Sequence, residues 1–275
     1  MAATSNARAR KMATRSALIN VMVKAAEKAA KSLKKDFGEV EHLQVSRKGP
    51  ADFVSNADIQ AQKILTDELS KARPGFGFVV EEKDKNLDTA AKTERWIIDP
   101  LDGTSNFLHG LPHWAISIGA EREGEIVAGV VLDPIKDELF WAEKGVGAYC
   151  NSKRLRVSAR GDLVDCLIAT GTPFAGTMDR WPHFAKQVDA VMPKVAGIRR
   201  WGVASLDLAY VAAGRFDGYW ESGLGYYDVA AGGLMVKEAG GFIHPIDKTK
   251  HPLTDGDIIA ANAKISEHLV KLIRG

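Results

Sequence analysis

Hydrophobic positions near the start of the chain recur every three or four residues. Leu18, Val21, Met22, Ala25, Ala29 and Leu33 line one face of a helix that begins at about residue 13. Lys48-Gly49-Pro50 then reads as a loop. Asp58 opens a second helix, with Ile59, Ile64, Leu65 and Leu69 as its apolar positions and Pro74-Gly75 as its terminator. From residue 76 the texture changes to short apolar runs. Residues 76–80, 96–98, 115–120, 125–132 and 138–142 read as strands, joined by tight turns such as Glu123-Gly124 and Lys136-Asp137. Strands in such direct succession predict an antiparallel sheet rather than repeated strand–helix–strand units. The polar stretch 83–95 reads as a surface excursion.

Beyond residues 145–154, helical and strand patterns alternate. Strands are predicted at 167–170, 218–221 and 258–261, and helices near 180–192, 205–213 and 229–239, with a closing helix that runs to residue 274. This pattern predicts two stacked α/β halves, residues 1–150 and 151–275. No repeat or low-complexity tract interrupts them.

Composition narrows the class. The chain has 275 residues, 45% of them hydrophobic, enough for a substantial core. No apolar run reaches the roughly 20 residues that cross a bilayer. Cys150 and Cys166 form neither a disulfide framework nor a metal-ligand spacing, which fits packing residues in a reducing cytoplasm. The net charge of +2 hides an asymmetry: residues 1–35 hold nine Lys/Arg and one acid, Glu27, whereas the rest carries 28 bases and 34 acids. A basic, acid-poor start also suits a transit peptide. The helical spacing from residue 13 favours a structural helix with a solvated basic face.

Candidate chemistry gathers at Trp96-Ile97-Ile98-Asp99-Pro100-Leu101-Asp102-Gly103-Thr104-Ser105-Asn106-Phe107. An apolar strand ends in two aspartates three residues apart, and a turn with the marks of a helix start follows. Carboxylates suit hard divalent cations, and the unpaired N–H groups of a helix start suit anions. Together they point to metal-assisted phosphate chemistry. Glu81, Asp58 and Asp228 also stand at element ends, although Asp58 and Asp228 read equally well as helix caps from the residues alone. His109 and His113 have a zinc-like spacing, but Pro112 lies between them and the neighbouring acids suit magnesium better. Trp96, Trp114, Trp141, Trp201 and Trp220 read as core or interface residues.

Three segments, Glu81-Glu82, Asp99 to Phe107 and Tyr227-Asp228-Val229-Ala230-Ala231-Gly232, resemble the signatures of the inositol monophosphatase family in order and separation. Gly197 to Gly202 and Leu206 to Arg215 are similar to its bacterial branch. The likeness spans about residues 15–270. It implies a layered αβαβα sandwich of the sugar-phosphatase fold, an α+β architecture with an antiparallel N-terminal sheet and a mixed C-terminal sheet.

The same resemblance implies a site. Glu81, Asp99 and the Leu101 carbonyl would hold one Mg²⁺; Asp99, Asp102 and Asp228 a second; a third, weaker ion would lie near Glu81. Thr104 and Asp58 would activate a water on the metal, which makes Asp58, Thr104 and Glu81 the catalytic set. Asp102, Gly103, Thr104, Arg200, Gly202, Val203, Ala204, Glu221 and Asp228 would contact the substrate. Tyr226-Tyr227 stand where animal members tend to have Cys-Trp, and Trp201 and Val203 fall in the segment that would line the sugar pocket.

The expected activity is a lithium-sensitive, Mg²⁺-dependent phosphomonoesterase, cytoplasmic and homodimeric, acting on myo-inositol 1-phosphate or a similar polyol phosphate. Fructose 1,6-bisphosphatase, histidinol phosphatase and 3′-phosphoadenosine phosphatase activities are alternatives. A regulatory protein that binds the transcription machinery is an alternative of another class.

Overall fold

The computed structural model describes residues 14–39, 45–49, 52–82, 87, 92–173 and 179–275. Pro50, most of the polar stretch 83–95 and the basic residues before position 14 lie outside them.

The first helix, α1 (Ala17–Phe37), starts at Ser16, whose side chain accepts a hydrogen bond from the Ile19 N–H. It buries Leu18, Ile19, Met22, Ala25, Ala26, Ala29 and Leu33 on one face. A short hairpin, β1 (Val45–Gly49) and β2 (Asp52–Ser55), leads into α2 (Asn56–Ala72). The hairpin falls where a loop is predicted from Lys48-Gly49-Pro50.

The first sheet contains β3 (Gly77–Val80), β4 (Glu94–Asp102), β5 (Ala115–Arg122), β6 (Glu125–Asp133), β7 (Glu138–Glu143), β8 (Gly147–Cys150) and β9 (Lys153–Arg154), in that spatial order. It is antiparallel except at one edge, where β3 pairs parallel with β4. This departs from the fully antiparallel expectation. Thirteen residues, 81–93, separate β3 from β4, a connection long enough to restart in the same direction.

Between β4 and β5 comes a single helical turn and a half, α3 (Thr104–Leu108). The second sheet is mixed. Its order is β11 (Gly197–Arg199), β10 (Leu167–Thr170), β12 (Gly218–Glu221), β14 (Ile258–Ala261), β13 (Phe242–Pro245), with β10 parallel to β11 and β12 and the other pairs antiparallel. The remaining helices are α4 (Trp181–Val191), α5 (Ala204–Ala212), α6 (Tyr226–Glu238) and α7 (Ser266–Arg274).

Five layers result. Helices α1 and α2 cover the outer face of the first sheet, α5 and α6 fill the space between the sheets, and α4 and α7 cover the second sheet. The central pair is mostly apolar, as burial between two sheets demands: all nine residues of α5 are buried, Asp207 among them. Small residues let α6 come close. A Cβ at Gly129 would stand 2.9 Å from the Ala231 Cα and 3.0 Å from the Ala231 carbonyl oxygen. On the other side a Cβ at Gly232 would stand 2.6 Å from the Leu208 Cβ of α5.

This contact generates a test. Gly129→Ala forces α6 off the sheet, and overpacking of this kind costs about 1–3 kcal/mol. Its denaturation midpoint is expected to fall, with activity falling alongside because α6 carries Asp228. Unchanged stability would show that the two backbones are not in close contact.

Candidate active site

Asp99 and Asp102 are three residues apart, and in a regular strand such a pair faces opposite sides of the sheet. Here the register slips: Asp99 pairs with Ser117 but Asp102 with Ala115, so β4 gains one residue over β5. The extra residue is a bulge, which brings both carboxylates to one face. Pro100 fits this point because it has no N–H to give to the ladder. The bulge is fastened from within by the Leu101 N–H, which donates to Asp99 Oδ1 at 2.9 Å.

Asp228 arrives from α6. It is the third residue of the helix, and its Oδ2 accepts from the Gly225 N–H at 2.6 Å. The N-cap is therefore Gly225, not Asp228, and the helix begins at Tyr226, before the predicted start. Oxygens of Asp99, Asp102 and Asp228 lie within 4.8 Å of one another. Among the described residues this is the one group of acidic, His or Cys side chains with the reach to hold a metal ion. The Glu81 N–H donates to the Ile98 carbonyl at 3.3 Å, which aligns the end of β3 beside Asp99. From there the Glu81 charge acts on both Asp99 and Asp228.

The electrostatics are those of a site built for cations. Burial, then the charges of Glu81, Asp102 and Asp228, holds the Asp99 carboxyl well above the usual carboxylate range. Asp228 is raised in the same way, by burial and by Asp102 and Glu81. Asp102 is pushed up to about 6 by burial, against the pull of its hydrogen bonds to Ser205 and Ala204. The Ser205 bond is a 2.7 Å donation from the α5 backbone N–H to Asp102 Oδ2. A cluster of oxygens whose charges repel one another suits a hard divalent cation.

Asp58 plays a part that the cap reading hides. The N-cap of α2 is Ser55, and Asp58 is the third residue of the helix. Its Oδ2 accepts from the Ser55 N–H at 2.9 Å and the Ser55 hydroxyl at 2.5 Å. Its other oxygen, Oδ1, faces away from the cap and accepts from the Thr104 hydroxyl at 2.9 Å. The same hydroxyl lies 3.1 Å from the Leu101 carbonyl. Burial raises Asp58 above the ordinary carboxylate value, which makes it the stronger base.

Gly103 joins the bulge to α3 with φ of +95°, the left-handed region where glycine is favoured. A Cβ there would lie 2.8 Å from a Val203 methyl. The Gly202–Ala204 segment is thus set directly against Gly103 and Asp102. Asn106 fastens it, donating to the carbonyls of Trp201 and His113 at 2.9 Å each. Arg200 donates from Nε to the Thr172 hydroxyl at 3.2 Å and folds over Gly202. Glu221 ends β12 and accepts from the Tyr219 hydroxyl at 2.6 Å. Burial pushes Glu221 up to about 7, opposed by the Tyr219 hydrogen bond and the Arg200 charge. A cavity of about 720 Å³ opens beside it, bounded by Gly171, Arg180, Trp220 and Asp257 among others.

The histidines stay apart from the acids. His109 is bonded to the Ser105 carbonyl, and His113 accepts from Lys136 and packs edge-on to Trp201, with ring centroids 5.0 Å apart. Trp96, Trp114, Trp141 and Trp220 are buried, whereas Trp201 is 39% exposed. Two features escape a reading of the sequence. Gln62, one turn beyond Asp58, clamps the backbone after Glu81 by donating to the Glu82 carbonyl at 2.8 Å and accepting from the Glu82 N–H at 3.0 Å. Asp207 on α5 is 1% exposed, and neither of its carboxylate oxygens has a hydrogen bond. The available signal was the place of Asp207 inside the mostly apolar run Leu206 to Ala213, since a helix of that composition is buried with any acid it carries.

Comparison with known proteins gives a consistent result. The model of the inositol monophosphatase family matches residues 14–275. An inositol-1-monophosphatase of Rhizobium meliloti is 54% identical, the match covering 94% of this chain and 96% of the relative. A Pseudomonas aeruginosa protein named Nus factor SuhB is 39% identical over 94% of this chain and 96% of its own length. The crystal structure of the extragenic suppressor protein suhB of Bartonella henselae superposes with a TM-score of 0.89 at 52% identity, over 94% of this chain and 99% of that one. The chain belongs to the inositol monophosphatase family.

Proposed function

We propose that this protein is a Mg²⁺-dependent phosphomonoesterase that hydrolyses myo-inositol 1-phosphate or a closely related polyol phosphate. One observation carries the reading: a tight cluster of Asp99, Asp102 and Asp228 beside a Thr104–Asp58 hydrogen-bonded pair. Asp99, Asp102, Asp228, Glu81 and the Leu101 carbonyl would hold two or three ions. When bound, the ions supply charge stabilisation to the phosphoryl oxygens and acidify water.

The protein's own groups divide the remaining work. Thr104 orients the attacking water and takes its proton at Oγ1 while passing its own to Asp58 Oδ1, 2.9 Å away. Ser55 prevents Asp58 from turning away by holding the opposite oxygen. The backbone at Gly103 and Thr104 binds phosphate, and Glu221, Arg200 and the Gly202–Ala204 segment read the alcohol. Residues up to about 150 carry most metal ligands, and the second half supplies Asp228 and the alcohol contacts.

The resemblance and the relatives' names favour inositol phosphate over fructose bisphosphate, histidinol phosphate or phosphoadenosine phosphate. The exposed basic face of α1, with Lys24, Lys31, Lys34 and Lys35, is a feature that suits contact with the transcription machinery. No helix among the described residues is long and apolar enough to cross a membrane.

The reading is tested first by a phosphatase assay over inositol, sugar, histidinol and nucleotide phosphates, with Mg²⁺ and with chelator, and with lithium as inhibitor. Asp99→Asn and Asp102→Asn are expected to abolish turnover without loss of fold. Thr104→Ala and Asp58→Asn are expected to lower kcat by about 10²–10⁴-fold with little change in Mg²⁺ affinity. Wild-type turnover in Asp99→Asn, or unchanged kcat with lost Mg²⁺ binding in Thr104→Ala, would overturn the assignments.

The raised carboxylates give a pH test. Asp102 moves from 3.8 to about 6 and Glu221 from 4.5 to about 7 on folding, so the native chain binds more protons than the unfolded one. Without a cation, stability therefore falls as pH rises through these intervals. In chelator the melting temperature should drop between about pH 5 and about pH 7.5, and Mg²⁺ should raise it more at the higher pH. An equal Mg²⁺ effect at both pH values would count against ion binding at this cluster.

Assembly as a homodimer is part of the reading. Trp201 is 39% exposed and flanked by exposed Arg199 and Arg200, residue types enriched at interfaces. Mass measurement in solution at micromolar concentration is expected to give a dimer, and a monomer would refute it.

A further inference from the structure

Tyr226 opens α6 two residues before Asp228, and its hydroxyl is engaged away from the acid cluster. It donates to Glu121 Oε2 at 2.7 Å. Glu121 lies on β5 and is 2% exposed. Its other oxygen, Oε1, accepts from Arg95 Nε at 2.9 Å and from a terminal Arg95 nitrogen at 2.5 Å. Arg95 stands directly across the sheet on β4, in register with Glu121. Burying a carboxylate is costly unless it is paired and its lone pairs are taken up. Here the guanidinium supplies the opposite charge and the phenol takes up the remaining oxygen. The three side chains form a continuous link from β4 to the start of α6.

The link falls where the helix needs one. Gly225 has no side chain with which to cap the first turn. Instead β5 meets the helix with alternate residues, which share one face of the strand. The Ser117 hydroxyl donates to the Tyr227 carbonyl at 3.2 Å, a Cβ at Gly119 would stand 3.3 Å from the Ala230 Cβ, and Glu121 takes the Tyr226 hydroxyl. The small pair Gly119 and Ala230 sets how far the helix stands off the strand, but apolar contact has no preferred direction along it. The two hydrogen bonds do have one, and the bond to Glu121 is charge-assisted, the stronger kind. Asp228 is fastened to the same turn through the Gly225 N–H, so it moves with that turn. Asp99 and Asp102, which it must meet, belong to β4, the strand that also bears Arg95.

We propose that Tyr226 and Glu121 are positioning residues for the ion site: their hydrogen bond, backed by Arg95, holds the first turn of α6 so that Asp228 meets Asp99 and Asp102 at the spacing a divalent cation requires. Neither touches the ion or the substrate; both act through Asp228. The inference rests on the proposed role of Asp228 as an ion ligand. A ligand set works only when held to within about 0.5 Å of its productive geometry. A turn released from one of its two ties presents Asp228 less well to a cation, while the apolar packing of α6 stays in place.

The test titrates Mg²⁺ alone into the substrate-free whole chain, reading the rise in melting temperature and the heat of binding. The kcat for inositol 1-phosphate at saturating Mg²⁺ is measured beside them. Tyr226→Phe removes only the hydroxyl and is expected to raise the half-saturating Mg²⁺ concentration about tenfold, the low end for outer-shell partners of metal ligands, with kcat at saturation within about twofold of wild type. Glu121→Leu is expected to weaken Mg²⁺ binding at least as much. Adding Tyr226→Phe to it should change nothing further, because the two act through one bond. If Glu121→Leu does not fold, Tyr226→Phe alone decides. An unchanged Mg²⁺ midpoint in Tyr226→Phe overturns the proposal, even where the melting temperature falls equally with and without Mg²⁺, the mark of a merely structural anchor. Additive losses in the double variant also overturn it. Asp228→Asn is the control. If it binds Mg²⁺ as tightly as wild type, the reading of Asp228 fails and this inference with it. If it loses Mg²⁺ while Tyr226→Phe does not, the role of Tyr226 and Glu121 alone is refuted.

Discussion

The approach of α6 to the first sheet is the constraint on which the site depends. Gly129 leaves room for the Ala231 backbone, and this closeness delivers Asp228 to Asp99 and Asp102. Two unit charges 4.8 Å apart repel by roughly 3 kcal/mol at the effective dielectric suited to protein sites. Three such charges, with Glu81 beside them, cannot all stay ionised without a cation. The fold accepts this repulsion because the backbone elements that bear the acids are fixed by apolar packing elsewhere. Phe107 of α3, just after Asp102, has its ring centroid 5.1 Å from that of Trp114 and 5.4 Å from that of Phe37 of α1. A site that is destabilised when empty in this way discriminates strongly between having a cation and having none.

One local device is used twice. Asp58 and Asp228 each occupy the third position of a helix, and each spends one oxygen on the N–H of the cap residue. The remaining oxygen is then aimed by the helix axis rather than by a flexible side chain. In α2 this aims Asp58 at Thr104; in α6 it aims Asp228 at Asp99. The helix cap and the functional role are therefore not alternatives for these residues. Each role uses a different oxygen, and the cap supplies the rigidity that a proton acceptor or ion ligand needs.

That double use explains what was legible in the sequence and what was not. The acids, their order and their chemistry could be read from Asp99-Pro100-Leu101-Asp102-Gly103-Thr104, and the core strands follow from their apolar runs. Their common orientation could not, because it depends on a register slip between β4 and β5 that alternation does not reveal. The edge strands β11 and β13 escaped for a different reason. Three or four residues with little buried apolar surface leave no periodic trace, and their pairing comes from the neighbouring strand. The parallel edge strand β3 looks like any other short apolar run, since direction is set by the connection and not by composition. Asp207 was hidden by its setting, one acid in an otherwise apolar helix, where its burial rather than its identity carries the information.

The two halves of the proposed substrate are served by different parts of the chain, with consequences for how specificity changes. Phosphate chemistry, in the proposed reading, would rest on the β4 bulge, α2 and the start of α6, where Asp99, Asp102, Asp58 and Asp228 are each tied to a backbone N–H. Alcohol recognition, in the proposed reading, would rest on α5, the segment before it and the end of β12, where contacts are made by side chains: Tyr219 to Glu221, Arg200 to Thr172, and Val203 against the Gly103 backbone. Backbone ties tolerate little substitution, whereas a side-chain lattice can be re-cut one residue at a time. The two regions meet at Asp102, whose Oδ2 is bonded to the first turn of α5. A shift of α5 large enough to remodel the proposed alcohol pocket would therefore also pull on Asp102. Glu221 is free of that constraint, because it ends β12 and borders the cavity, so its side chain can change without moving that helix.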